Sequence, residues 1–108
     1  MLGKFPFPRW LLNTSVKIYQ TELNEDGEPA ETLLFDDKAI YDEKTKQTLD
    51  KERKLVDLVG KVIVEGDINP DKVIEGYVLV GEIQQNIYRS TRPRNPDGTV
   101  FSTELDLM

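Results

Sequence analysis

Turn-forming residues recur about every ten residues along the chain and separate short runs rich in β-branched and aromatic residues. The clearest signals are Asp26-Gly27, the glycines that bound GYVLVG at 76–81, and Pro96-Asp97-Gly98. Such spacing is typical of small all-β folds. We therefore predict a mainly β protein, a small antiparallel β-barrel or sandwich of about six strands with at most one short helix.

Alternation of apolar and polar side chains identifies the individual strands. In residues 14–23, Val16 and Ile18 alternate with Lys17 and Tyr19, as expected for a half-buried strand. The last strand is predicted to place Phe101, Leu105 and Leu107 on one face. Strands or strand pieces are predicted at residues 14–23, 31–35, 38–42, 55–65, 76–81, 82–90 and 99–107.

Residues 44–59 fit two patterns. Leu49, Val56 and Val59 would share one face of a helix, and the many Glu and Lys residues favour helix. The apolar end of the segment, however, runs directly into the strand-like VIVEGD. We predict a turn or helical turn at 50–54, followed by extended chain over 55–65.

The charge is unevenly distributed. Residues 22–43 hold nine carboxylates against one cation, Lys38, and we predict a solvated loop surface there. The whole chain carries 20 acidic and 14 basic residues, a net charge of −6. This balance argues against a dedicated nucleic-acid binder, because cations supply most of the affinity for phosphate.

The length of 108 residues corresponds to a single domain, which we assign to residues 14–108. Residues 1–13 are predicted to be an extended arm, because Pro6 and Pro8 prevent a regular helix. The arm docks either on the domain's own core or on a neighbouring subunit or partner. Its apolar side chains, which are the candidate subunit-interface residues, are Phe5, Phe7, Trp10, Leu11 and Leu12.

The residue types needed for common catalysis are missing. The chain has neither cysteine nor histidine, so it lacks the usual nucleophile, general base and metal ligands. The segment beginning at Asp67 resembles the first half of a calcium loop, but Lys72 and Val78 occupy positions that need glycine and glutamate. We predict no catalytic residue, no metal and no cofactor, and therefore no enzyme.

The chain contains no apolar run long enough for a membrane helix and no signal-peptide pattern. We therefore expect a soluble protein of a reducing cytoplasm, without contact with a membrane.

Three of the five arginines, Arg89, Arg92 and Arg94, lie within six residues. They are the candidate loop contacts to a DNA channel or to an acidic partner. Two interpretations remain open. The arginines either pair with carboxylates beside a turn at 96–98, or project from a loop tip towards phosphate or an acidic partner.

Four segments carry a resemblance to a known family, in the order FPRWLLNTSVKIY, NEDGEP, AIYDEKTKQ and GKVIVEGDI. They provide a proline-aromatic lead with paired leucines, a first strand, a turn and a later strand ending in a Gly-Asp loop. The chain resembles the small minor capsid, or head–tail connector, proteins of tailed bacteriophages or prophages of Gram-positive bacteria. The matching positions are Pro8 to Leu12, Val16 to Tyr19, Asp26 to Pro29 and Val62 to Asp67.

The resemblance implies a virion structural protein of the head-completion or stopper kind, present in the host cytoplasm during assembly. It implies a β-barrel that self-associates into a ring between portal and tail, through which double-stranded DNA passes. The implied partners are a portal or adaptor and a tail completion protein, with no cofactor. A different class also fits the residues: a small β-barrel adaptor that binds a peptide or nucleic acid outside a virion.

Overall fold

A computed structural model describes residues 6–43, 45–70 and 72–108. Within these ranges the helical content is one turn of 3-10 helix, Arg9–Leu11. The strands are β1 (Thr14–Leu23), β2 (Pro29–Asp42), β3 (Lys46–Leu49), β4 (Leu55–Leu58), β5 (Gly60–Glu65), β6 (Gly76–Val80), β7 (Ile83–Thr91) and β8 (Ser102–Leu107).

Six of these strands close into an antiparallel barrel in the order β1-β2-β5-β8-β7-β6, with β6 returning to β1. The predicted fold class, a small antiparallel barrel of about six strands, is confirmed. Closure pairs each barrel strand on both sides over part of its length, which removes most of the free edge that an open sheet would expose.

The barrel interior is formed by the apolar side chains that alternate along its strands. Val16 and Ile18 of β1 are buried and Lys17 between them is exposed, as predicted. Leu105 and Leu107 of β8 are also fully buried. The buried hydrophobic cluster is Val16, Ile18, Ala39, Val62, Val64, Ile74, Val78, Ile87, Leu105 and Leu107.

The acidic region differs from the prediction of a solvated loop over 22–43. Residues 29–42 form β2, which pairs with β1 from Ala39↔Thr14 to Pro29↔Leu23. The prediction of a loop was wrong for this part, whereas the strand pieces predicted at 31–35 and 38–42 both lie within β2. The ladder satisfies the backbone groups, which outweighs the low strand propensity of the acids. The predicted turn at 24–29 is confirmed, with the Asn24 side chain accepting bonds from the Asp26 and Glu28 amides, both at 2.9 Å.

The outer part of this pair extends beyond its barrel neighbours. β6 pairs with β1 no further than Gln20, and β5 pairs with β2 only at Ile40–Asp42. Residues 21–33 therefore form a ribbon in which β1 and β2 have only each other as ladder partners. Two hydrogen bonds join this ribbon to the barrel, from the Thr21 amide to the Glu75 carbonyl at 2.8 Å and from the Tyr77 hydroxyl to Glu31. We call residues 21–33 the acidic ribbon.

Residues 44–59 are not helical where the structure describes them. β3 and β4 form a separate two-stranded sheet, which we call the β3–β4 hairpin. Asp50 Oδ1 accepts bonds from the Glu52 and Lys54 amides at 2.8 and 2.9 Å, so the predicted turn at 50–54 is confirmed. The predicted extended chain over 55–65 divides at Val59 into strands of two different sheets.

Candidate interaction surfaces

The first of the clustered arginines lies on the barrel wall. Arg89 of β7 is paired in register with Asp106 of β8, and its Nε donates a hydrogen bond to Asp106 Oδ2 at 2.6 Å. Lys61 Nζ approaches the other oxygen of Asp106 at 3.8 Å. Arg89 is thus held by a carboxylate of its own chain.

Arg92 joins two loops. Its Nε donates to Asp67 Oδ1 at 3.0 Å, and its Nη2 donates to the carbonyl oxygens of Asn69, at 2.8 Å, and Lys72. The side chains of Arg92 and Asp67 are each 19% exposed. This geometry matches the interpretation in which the arginines pair with carboxylates, and it leaves the Arg92 guanidinium engaged on several sides.

Arg94 bonds only to its own turn. Its Nη1 donates to the Gly98 carbonyl at 2.9 Å, and the side chain is exposed. The predicted turn at 96–98 is confirmed, because the Asn95 amide bonds to the Thr99 carbonyl and the Gly98 amide to the Asn95 carbonyl. Of the three arginines, Arg94 is the one with no carboxylate partner among the described residues.

The loop after β5 is closed by local hydrogen bonds. Asp67 Oδ1 accepts a bond from the Asn69 amide at 3.1 Å, in addition to the bond from Arg92. Such capping of nearby backbone amides by an aspartate is typical of loops. In the part of the chain that the structure describes, which omits Asp71, no group of three or more acidic side chains is arranged to hold a metal.

The N-terminal arm lies on the barrel of its own chain over its described residues. The Phe7 ring meets the Phe101 ring at a centroid distance of 5.4 Å and an angle of 41°. Arg9 Nε and Nη2 donate to the Glu65 carboxylate, with the shortest contacts at 2.9 Å. An aromatic contact and a two-pronged ion pair thus fix the arm against β5 and the segment before β8.

The five apolar residues predicted for the arm have different environments. Phe5 lies outside the described residues. Phe7, Leu11 and Leu12 are half-buried, whereas Trp10 is 81% exposed. Among the described residues of the arm, Trp10 is therefore the apolar side chain most available to another molecule.

The Arg9–Glu65 pair makes docking of the arm dependent on pH. Hydrogen bonds from Arg9 lower the pKa of Glu65 below its ordinary value of 4.5. The pair therefore stabilises the docked arm above pH 4.5, and this contribution is lost as the pH falls through the lowered value. We expect the fluorescence anisotropy of Trp10, the only tryptophan, to decrease in that acidic range.

The matched control for this prediction is Glu65→Gln. At neutral pH this variant should already show the low Trp10 anisotropy that the unsubstituted protein reaches in acid. Acidification should then change the anisotropy of the variant little. An anisotropy that responds equally to pH in both proteins would assign the transition to another group.

A second surface feature is a pair of tyrosines on neighbouring strands. Tyr19 of β1 and Tyr77 of β6 are paired in register, with rings stacked at a centroid distance of 5.0 Å. The Tyr77 hydroxyl donates to Glu31 Oε2 at 2.7 Å. The pair therefore ties the base of the acidic ribbon to the barrel.

The same contact predicts an unusual tyrosine titration. The hydrogen bond to Glu31, followed by desolvation and the nearby negative charge, raises the pKa of Tyr77 to about 12. Since the value is raised from 10.0, this contribution to stability is complete below pH 10 and is lost as the pH rises towards 12. We expect NMR titration to show Glu31→Gln lowering the pKa of Tyr77 towards 10. An unchanged pKa would contradict the assignment.

A cleft of about 750 Å³ lies beside the β3–β4 hairpin. It is bounded by residues 49–52 at the hairpin turn, by residues 73–75, and by 87–90 of β7. Its rim includes two exposed apolar side chains, Leu49 and Val73, together with charges of both signs. Such a groove can accept an apolar side chain from another chain.

The most exposed leucines lie on the two elements outside the barrel. Leu49 and Leu55 are cross-strand partners at the end of the β3–β4 hairpin, 60% and 69% exposed. Leu23 of the acidic ribbon is 71% exposed, and Leu33 is also exposed. The sequence pattern alone does not predict that these leucines are exposed, because their faces are known only once the strand register is known.

Comparison with family models, with characterised proteins and with solved structures finds no match to this chain. Among the described residues, no helix has the length and apolar character needed to cross a membrane.

Proposed function

We propose that the chain is a virion structural protein of a bacteriophage head–tail connector, a minor capsid or head-closure component. It forms part of a ring between portal and tail, through which DNA passes. The observation that carries this proposal is a closed β-barrel with two β-ribbons outside its closed pairing that expose leucines. A compact body with exposed contact elements suits a ring subunit, which must meet two neighbours.

The electrostatics support the same function. Arg89 and Arg92 are engaged by carboxylates of their own chain, and the acidic ribbon carries exposed acids. The chain as a whole has a net charge of −6, and a channel wall of negative sign lets double-stranded DNA slide past without adhering, because like charges do not attract. Portal or adaptor proteins and a tail completion protein are the partners that this function requires.

The arm supplies a further contact element. Its ion pair with Glu65 holds it on the barrel while Trp10 stays exposed. A tryptophan exposed on an anchored segment is well suited to a subunit or partner interface.

The test is immunogold electron microscopy of purified particles of the phage or prophage that encodes the chain. We expect the label at the neck, between head and tail. Particles that carry no label at the neck, while a label on the major capsid protein is visible, would exclude this function.

The cleft beside the hairpin favours one second function, a peptide-binding adaptor that acts outside a virion. The other form of this alternative is an adaptor that binds nucleic acid. Fluorescence anisotropy of labelled single-stranded and duplex DNA at low salt distinguishes it from the connector proposal. The connector proposal expects no stable complex with either. Micromolar binding that weakens steeply with added salt would favour the adaptor instead.

A further inference from the structure

The acidic ribbon and the β3–β4 hairpin, the two elements outside the barrel, both expose leucines, and the charges presented beside these leucines have opposite signs. The acidic ribbon contains five acidic residues and no lysine or arginine. These acids are exposed and surround Leu23 and Leu33, which are exposed as well. The acids are Glu22, Glu25, Asp26, Glu28 and Glu31.

The end of the β3–β4 hairpin is the complementary surface. Lys51 and Arg53 form no ion pair within the described residues, whereas the acids beside them are engaged. Asp50 bonds to the backbone of its own turn, and Glu52 pairs with Lys54 at 3.2 Å. The end of the hairpin thus presents free cations beside the exposed pair Leu49 and Leu55.

These surfaces are not paired within one chain. The β3–β4 hairpin forms its own two-stranded sheet, and no strand pairing or salt bridge joins it to the acidic ribbon among the described residues. Each copy therefore carries both halves of a complementary contact, a cross-strand leucine pair with cations and two exposed leucines of the ribbon with anions.

We propose that the β3–β4 hairpin of one copy docks on the acidic ribbon of a second copy. The inference rests on the proposed function, because it names the two surfaces that join neighbouring subunits of the ring. The leucines provide apolar area that excludes water, and the charges fix the orientation. Because two different patches meet, one copy can bind a neighbour at each, and such contacts join the copies in a ring when the rotation between neighbours closes.

A nucleic-acid occupant is less suitable for either surface. Phosphates would be repelled by the acidic ribbon, and DNA offers little for the leucines of the hairpin to pack against. A second copy satisfies both the charges and the apolar side chains of each surface.

The absence of cysteine allows a disulfide-trapping experiment without background. Chains carrying Leu49→Cys are mixed with chains carrying Leu23→Cys and oxidised. We expect mixed dimers, and from the chain that carries both substitutions we expect a ladder of higher multimers.

The matched control uses Ile83→Cys in place of Leu23→Cys. Ile83 is also an exposed apolar residue, and it lies at the start of β7. Equal yields in the two mixtures would overturn the proposal.

Charge reversal tests the same contact in reverse. Lys51→Glu with Arg53→Glu, and separately Glu25→Lys with Glu28→Lys, should each weaken self-association at least about tenfold in sedimentation velocity. Mixing the two variants should restore association, because each reversed surface then meets its opposite. Circular dichroism checks that both variants remain folded, and a mixture as weak as either variant alone would contradict the proposal.

The inference and the proposed function fail in different ways. If rings form but the Leu23→Cys and Leu49→Cys chains do not cross-link and charge reversal has no effect, then the assigned surfaces are wrong and the connector function stands. If the Leu23→Cys and Leu49→Cys chains do cross-link but the protein is absent from the phage neck, then the contact is correct and the connector function is wrong.

Discussion

Replacing Arg92 with alanine is expected to lower the free energy of unfolding by about 2–3 kcal/mol, because its guanidinium connects three groups of a separate loop. It bonds to the Asp67 carboxylate and to the carbonyls of Asn69 and Lys72. Removing it leaves Asp67 as a partly buried carboxylate without its cation. The loss should appear in urea denaturation followed by circular dichroism.

The control is Arg94→Ala, the same substitution two residues away. The Arg94 side chain is exposed and bonds to the Gly98 carbonyl of its own turn, so we expect a change within about 0.5 kcal/mol. If the two variants unfold at the same urea concentration, then the Arg92 bridge does not stabilise the fold and the residue becomes available for a partner.

This pair of variants separates the two interpretations of the arginine cluster. Arg92 spans 25 residues to reach Asp67, and nothing in the local sequence identifies that carboxylate among the 20 acids of the chain. Local patterns could predict that the arginines flank a turn. The choice of partner depends on how the loops after β5 and β7 meet, which is a tertiary property.

Turn chemistry and alternation predicted much of the barrel. β1 has the predicted bounds, since Asn24 and Gly27 end it sharply and Val16 and Ile18 carry the period-two pattern. The turn at 96–98 was predicted for a similar reason, because proline, aspartate and glycine each favour a specific turn position. Where local chemistry determines the conformation, the sequence was sufficient.

Only pieces of the acidic strand β2 were predicted, at 31–35 and 38–42, and the β3–β4 hairpin was not predicted, because the stability of both elements comes from pairing. β2 carries Asp36 and Asp37, which disfavour strands, but its ladder with β1 extends over the whole of β1. The β3–β4 hairpin contains good helix formers, yet its strands pair, and the cross-strand pair Leu49↔Leu55 brings two leucines together at one end. The propensity of a single residue carries no information about which strand will pair with it.

The same limit applies to the candidate interaction surfaces. The apolar arm was recognised from composition, but only the contact of Phe7 with Phe101 and the Arg9–Glu65 pair separate its docked residues from the exposed Trp10. Phe101, Leu105 and Leu107 were predicted to share one face of the last strand, but they lie in two different environments. Phe101 packs on the arm, whereas Leu105 and Leu107 lie in the core.

The second large effect is expected at Gly76, where β6 begins against β1. A Cβ added at this residue would lie 2.1 Å from the Tyr19 carbonyl oxygen and 3.0 Å from the Thr21 amide nitrogen. Both neighbours are backbone atoms of β1, and the Thr21 amide is fixed by its 2.8 Å bond to the Glu75 carbonyl. The φ of +154° adds strain for any residue with a side chain. We expect Gly76→Ala to lower the free energy of unfolding by about 4 kcal/mol or more.

Gly81→Ala is the matched control, because it shares the positive φ but lacks the clash. Its φ is +64° and nothing lies within 4 Å of an added Cβ, so the cost should be about 1–2 kcal/mol from the backbone alone. Urea denaturation of the two variants therefore separates close strand approach from conformational strain. If Gly76→Ala is insoluble while Gly81→Ala folds, the order of effects is the expected one. Equal midpoints would instead mean that β1 can move away from β6, and the barrel would be more deformable at this seam than its hydrogen bonds indicate.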